Sequence, residues 1–406
     1  MSLIQQGTPL FRKTSLAFFA AGFTTFAILY STQPLLPIFS EEFGVSPAAS
    51  SLSLSITTIV LAISLLVFGS LSEVWGRKSI MVITMVAASV LCILTAFSPN
   101  FAVLLIFRAL IGVALAGLPS IAIAYLGEEM EPGSLGASMG LYICGNAIGG
   151  VFGRVFTGVV ADFFNWQIAI AAIGVLGFAS TMIFLTNLAP SRNFHSQNMN
   201  VRKLTGSMLN HLKDPGMLYL FGIGFIIMAG NVAIFNYMSY ALLAAPYGLS
   251  QSVVSWLFIV MIIGMYSSVW AGRQVERHGR QKMLFISLAI SLAGTLISLN
   301  ASLLSQIAAL TFFAFGFFAS QTVATSWVSY RALQNKSQAS SLYLFLYYAG
   351  SSIGGTLGGI FWSGFGWTGV AGMISGFLVL GFIFVIGLTQ LEGRRERQSR
   401  EYRVDY

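Results

Sequence analysis

Acid is scarce in this sequence. Of 406 residues only 13 are Asp or Glu, against 21 Lys or Arg, and charged residues make up 8%, where a soluble domain carries about 25%. So little charge excludes a water-facing surface over most of the chain. Cysteine is nearly absent too. Cys92 and Cys144 both sit in apolar runs without ligand spacing, so neither a disulfide framework nor a metal site is expected. No phosphate-cradling glycine loop appears, and no nucleophile stands beside a base. Direct ATP use, a cofactor and enzymatic chemistry are therefore not expected.

What fills the chain instead is apolar: 56% hydrophobic residues, with 34 Phe, and 42 Gly besides. About 20 such residues cross the hydrocarbon layer as a helix. Short polar breaks delimit approximate spans at 14–36, 49–70, 79–97, 102–126, 135–160, 166–188, 216–243, 251–271, 283–300, 303–328, 339–362 and 368–390. This is an all-α membrane protein with twelve transmembrane helices. With the N-terminus inside, every loop Lys or Arg falls on the inner side, from Arg12 and Lys13 through Arg77 and Lys78 to the tail. Only Arg108 and Arg154 remain, within spans, so both termini are expected in the cytoplasm. A basic excess that follows sidedness rather than one folded face argues against nucleic acid as a partner. The leading MSLIQQGTPLFRK has no small-residue cleavage pattern and is expected to be retained.

The longest inner connection separates a six-span domain, 1–188, from a second, 216–390. It forms a linker, 189–215, and a basic tail follows at 391–406. The halves echo each other. GSLSEVWGRK, from Gly69, and GRQVERHGRQ, from Gly272, lie 203 positions apart, so that Gly69, Glu73, Gly76 and Arg77 match Gly272, Glu276, Gly279 and Arg280. GNAIGGVFG from Gly145 and GSSIGGTLG from Gly350 repeat at an offset of 205. Duplicated halves of this kind are a transporter's signature.

These segments resemble the major facilitator superfamily over the whole chain. GSLSEVWGRK is similar to its loop signature, LLIFRALIG around Arg108 to its span-4 arginine motif, and GNAIGG to the span-5 motif of its drug:proton antiporter branch. Asn146 and Ser351 stand where that last motif normally has proline. The resemblance implies two pseudo-symmetric six-helix domains working by alternating access, with spans 1, 4, 7 and 10 lining the path. It implies that Glu73, Arg77 and Glu128 form a charge cluster that latches one open state, with Glu276 and Arg280 as a looser copy. It also gives Arg108 a part in proton coupling.

The residues themselves support a site. An intramembrane charge is a functional candidate by default, and Arg108 and Arg154 both lie roughly 9–12 Å below the outer surface. Gly145, Gly149 and Gly153, with Gly150 beside them, give one span a small-residue face for close packing; Gly350, Gly354 and Gly358, with Gly355, repeat it. Polar groups that could line a cavity are Tyr30, Gln33, Asn146, Asn231, Asn236, Tyr237, Tyr240, Gln321, Thr325 and Trp327. No Asp, Glu or His lies within a span, and Asp162 is the nearest titratable group on the outer side. Two buried arginines without a buried acid repel cations, so the cargo is expected to be neutral, zwitterionic or anionic.

The expected function is secondary export of a drug or metabolite from a bacterium through its inner membrane by a monomer. Protons are the coupling ion that the resemblance implies. The missing membrane acid favours one rival, a uniporter or symporter of a sugar-like or organic-anion solute. A non-transporting receptor or scaffold is the other, against which the paired loop motifs argue.

Overall fold

The computed structural model describes the backbone of residues 3–191, 201–332 and 334–404, and their side chains except those of 69–75, 120, 201–205, 207, 337 and 394–404. Among these residues every regular element is helical, apart from an isolated bridge between Ile4 and Met130. Ten helices are long and apolar enough to cross a membrane. The expected fourth span is divided at Pro119, whose ring cannot donate a backbone bond, into Phe101–Leu115 and Pro119–Glu129. The last two expected spans form one rod, Lys336–Val404, interrupted at Gly366 with φ 59° and ψ −150°, a conformation that only glycine adopts readily. These two features reconcile ten long rods with twelve crossings.

Local chemistry sets the helix starts. Thr8, Ser46, Asn100, Asn165 and Ser250 accept from the backbone N–H of Phe11, Ala49, Val103, Ile168 and Val253, each satisfying one orphan donor of a first turn. The chain forms two compact units, Met1–Met199 with Met238–Ile259, and Asn200–Tyr237 with Val260–Tyr406.

The first unit contains α1 (Pro9–Tyr30), a 3-10 turn at Gln33–Leu35, α2 (Leu36–Glu42), α3 (Pro47–Trp75), α4 (Arg77–Thr95), α5 (Phe101–Leu115), α6 (Pro119–Glu129), α7 (Pro132–Phe163) and α8 (Trp166–Asn187). Its axis is the α1–α7 pair. A Cβ at Gly145, Gly149 or Gly153 would fall on the backbone of Phe19, Phe23 or Ala27, so the glycine face brings two backbones into direct contact. At one end of the unit, Phe18 anchors an aromatic core with ring centroids 5.3 Å from Tyr125 and 5.9 Å from Phe184. At the other, Phe39 stands edge-on to Trp166 at 5.3 Å.

The second unit contains α9 (Val201–Lys213), most of α10 (Pro215–Leu243), α12 (Met261–His278), α13 (Arg280–Ile297), α14 (Leu303–Arg331) and α15 (Lys336–Val404). Gly350 and Gly354 of α15 press on the backbone of Phe225 and Ala229 of α10. This reproduces the α1–α7 contact. The remaining stretch, the end of α10 with α11 (Gln251–Trp256) and the 3-10 turn Leu257–Val260, is grouped with the first unit as far as Ile259. Outward-facing Ile83, Val175, Ile263 and Ile383 are exposed, as lipid contact requires.

Candidate functional site

Pro34 breaks the first rod. Lacking an N–H, it cannot serve the carbonyl of Tyr30, and the chain tightens into the 3-10 turn before α2 begins. The carbonyls before the break are taken by Arg108 of α5. Its Nη1 donates to Ile28 O at 3.1 Å, its Nη2 to Leu29 O at 2.8 Å, and its Nε to Ser53 O of α3 at 2.8 Å. The side chain is 1% exposed. Thr57 Oγ1 donates back to Arg108 O, and Gly112 allows α5 to lie against α3 at the Thr57 carbonyl. Arg108 thus places a cation on the negative end of α1 and ties α1, α3 and α5 together.

Arg154 of α7 meets side chains as well as backbone. Its Nε donates to Gln33 Oε1 at 2.6 Å and its Nη1 to Gly150 O at 2.7 Å. Its guanidinium carbon lies 3.7 Å from the Tyr30 ring centroid and 5.5 Å from that of Phe258. Arg154 is 4% exposed and Gln33 is fully covered. Arg154, Tyr30, Gln33 and Gly150 therefore converge. Asn146, two turns away, faces α1 at Gly22, and its Oδ1 has no hydrogen-bond partner among the described residues.

Asp162, exposed at the end of α7, accepts from Ser252 N at 3.1 Å. Gln251 donates to Pro34 O, and the Tyr240 hydroxyl lies 2.8 Å from Leu36 O and 2.7 Å from Ser40 Oγ. These contacts hold residues 240–252 to the broken end of α1 and to α7. In the second unit Tyr237 donates to Gly355 O at 2.5 Å and stacks on Trp362. Asn231 and Asn236 are buried beside it in sequence on α10, and Gln321 is half-buried on α14. Among the described residues no three His, Cys, Asp or Glu side chains are grouped so as to hold a metal ion.

The loop motifs repeat in backbone form. Gly76 (φ 89°, ψ 141°) and Gly279 (φ 80°, ψ 156°) each join two helices through one left-handed residue. Their charges differ. Arg77 grips Glu128 with two bonds, Nη2 to Oε1 at 2.5 Å and Nε to Oε2 at 3.2 Å. The surroundings of Gly69 and the side chain of Glu73 lie outside the described residues. In the second unit Gly272 and Glu276 are exposed, and Arg280 sits 3.9 Å over the Tyr330 ring, its Nε without a hydrogen-bond partner among the described residues.

The ion pairs there belong to residues that the motif reading passed over. Arg331 binds Asp214 through two bonds, at 2.8 and 2.7 Å, and lies 3.4 Å from Glu392 Oε1, which also accepts from Trp327 Nε1 at 2.9 Å. A signal existed: the offset of 203 that aligns the glycines sets Arg331 opposite Glu128. Charge is inverted between the copies. Arg280 therefore has a cation where Arg77 has an acid, and the arginine at 331 turns to other carboxylates. Phe258 and Gln251 carried no comparable signal, because each reads as an ordinary span residue.

Comparison with known proteins agrees with this architecture. Residues 16–240 and 220–404 match the profile of the family described as Major Facilitator Superfamily. The chain is 56% identical over 387 residues to a Bacillus subtilis protein described as an uncharacterized MFS-type transporter, YybF, covering 95% of this chain and 96% of that one. It is 45% identical to the Escherichia coli inner membrane transport protein YnfM, over 94% and 91% of the two chains. A solved structure of the nucleoside transporter NupG, in a mutant form, superposes with a TM-score of 0.76 at 13% identity, covering 92% of this chain and 99% of that one. At that identity the likeness shows the fold alone.

Proposed function

The chain belongs to the Major Facilitator Superfamily, is a multi-pass membrane transporter of a small molecule rather than an enzyme, and we propose from that premise that it exports its cargo in exchange for protons. Alternating access of two six-helix domains about a midplane site carries the transport. The membrane is the bacterial inner membrane, both termini face the cytoplasm and the protein acts as a monomer. The observation that carries the site is the pair of buried arginines, Arg108 and Arg154, within membrane spans, while proton exchange rests on the resemblance to the antiporter branch. Such groups are costly in lipid and are kept for function. They favour neutral, zwitterionic or anionic cargo.

Arg108 acts by holding the broken end of α1 on α3 and α5. The polar side chains Tyr30, Gln33, Asn146 and Arg154 in the first unit, with Asn231, Asn236, Tyr237 and Gln321 in the second, supply cargo contacts. Proton exchange runs through Asp162. Its carboxylate accepts from Ser252 N, which joins the end of α7 to the start of α11. The Arg77–Glu128 pair, with Glu73 nearby in sequence, latches one state.

Reconstituted flux with and without an imposed pH gradient tests this. Arg108→Ala is expected to abolish flux, Asp162→Asn to remove its response to the gradient, and Glu73→Ala to slow it at normal membrane levels. The acid-free spans favour a second reading, uniport or symport of an organic anion. Saturable flux that ignores the pH gradient would establish that reading and remove antiport.

A further inference from the structure

The α12–α13 corner of the second unit holds more positive charge than its own side chains neutralise. At the offset of 203, Arg273, Arg277 and Lys282 stand opposite Ser70, Val74 and Ser79. The second corner therefore carries three cations that the first lacks, and Arg331 takes the place of the acid that grips the first corner's arginine. Among the described residues Arg280 makes neither a hydrogen bond nor an ion pair, and it rests on the Tyr330 ring at 3.9 Å. Arg273, Arg277 and Lys282 are exposed and make no ion pair among those residues either. Glu276, also exposed, lowers the charge of the corner without cancelling it. Cations gathered in this way repel one another, and a bound anion relieves that repulsion.

The surroundings say what kind of anion fits. Along α12, Ile262, Tyr266, Val269, Arg273 and Arg277 follow at intervals of three or four residues, which sets them on one helical face. Its three apolar members are each more than half exposed, on a rod long and apolar enough to cross a membrane, so they meet acyl chains. On α13 the exposed Lys282 stands three residues before the exposed Phe285. Each helix thus presents an outward apolar face that ends in basic residues at the same corner.

We propose that this corner binds an anionic phospholipid, with the phosphate on Arg280, further charge from Arg273, Arg277 and Lys282, and acyl chain along the α12 face. A guanidinium offers a planar fork that matches two phosphate oxygens, and Arg280 has its donors uncommitted where Arg77 has spent two on Glu128. Basic residues next to an acyl-covered surface are the general means by which proteins hold anionic headgroups. A free phosphate ester shares the headgroup's chemistry but makes no use of the apolar face. The proposal is independent of the cargo and of its coupling.

The test follows thermal unfolding of the full chain, purified in a neutral detergent, at constant ionic strength. The probes are short-chain phosphatidylglycerol, phosphatidylcholine of the same chain length, and inorganic phosphate. A ligand of the folded state raises the midpoint, and a saturable rise is expected with phosphatidylglycerol alone. Arg277→Gln combined with Arg280→Gln is expected to raise its half-saturating concentration about tenfold or more. Arg273→Gln, at an exposed position where folding is not at stake, should weaken the same titration by a smaller factor. Arg12→Gln with Lys13→Gln, which removes two exposed cations from the first unit, should leave it unchanged. An equal rise with phosphatidylcholine would mean that only acyl chains bind, and an equal rise with inorganic phosphate would mean a site for free anions. Either result overturns the proposal, as does a phosphatidylglycerol effect that is absent, or that is indifferent to all three arginine substitutions in the second unit.

Discussion

The α3–α4 corner of the first unit and the α12–α13 corner of the second share a fold and differ in wiring. Both turn on a left-handed glycine followed by arginine, Gly76–Arg77 and Gly279–Arg280. In the first, arginine at the helix start meets an acid at the end of α6. In the second, the matching end of α14 carries Arg331, so Arg280 retreats to an aromatic face and Arg331 recruits Asp214 and Glu392. A duplicated corner can keep its backbone while one inverted charge reassigns every partner. Glycine fixes the turn, whereas side-chain charge decides which neighbouring helices the turn is bonded to.

The comparison can be broken at its strongest point. Arg331→Ala leaves the carboxylates of Asp214 and Glu392 without their shared cation, and breaking a mostly buried pair costs about 3–5 kcal/mol. A large drop in unfolding temperature of the purified protein is expected, and an unchanged one would show that this network contributes nothing. Glu128→Arg copies the second unit's charge into the first. Positions 11 and 189, which correspond to Asp214 and Glu392, are Phe11 and Ala189, so neither offers the new cation the carboxylate that its counterpart offers Arg331. A loss of roughly 1.5–3 kcal/mol follows from the broken charged bonds. Adding Ala189→Glu should recover part of it, and failure to do so would mean that the two corners are not interchangeable. Tyr330→Leu removes the ring beneath Arg280 and is expected to cost about 0.5–1 kcal/mol. Glu276→Gln, on an exposed side chain, should stay within about 0.5 kcal/mol of wild type. An effect as large as that of Glu128 would give Glu276 a partner beyond those described.

Much of the architecture was legible before any coordinates. Spans, breaks and repeat are one-dimensional properties: apolar runs, glycine spacing and an offset near half the chain. Pro34 and Pro119 were visible as letters, yet their runs stay apolar on both sides, so hydropathy reads each as one continuous span where the backbone is broken. The site was half legible. Arg108 and Arg154 stand out as charges in apolar runs, but what distinguishes them does not. That Arg108 spends its donors on carbonyls of Ile28, Leu29 and Ser53 depends on the break in α1. The Gln33–Arg154 bond joins residues 121 positions apart. The Arg331 network could have been found by asking what replaces Glu128 at the repeat offset, a question that motif matching alone does not pose.

The bridge between Ile4 and Met130, small as it is, has a topological consequence. Ile4 N donates to Glu129 O at 2.8 Å, Glu131 N donates to Ile4 O at 3.0 Å, and Gln6 N to Ser134 Oγ at 2.8 Å. A strand pairing of this kind cannot form through a bilayer, so residues 4 and 130 share one side of the membrane and the chain between them crosses an even number of times. The four spans read between these positions satisfy that parity, including the divided α5–α6 crossing, which fails the length rule for a membrane helix. Closing the bridge requires Ile4 and the α6–α7 turn to reach the same surface, so the pairing completes only after the spans between them are in place.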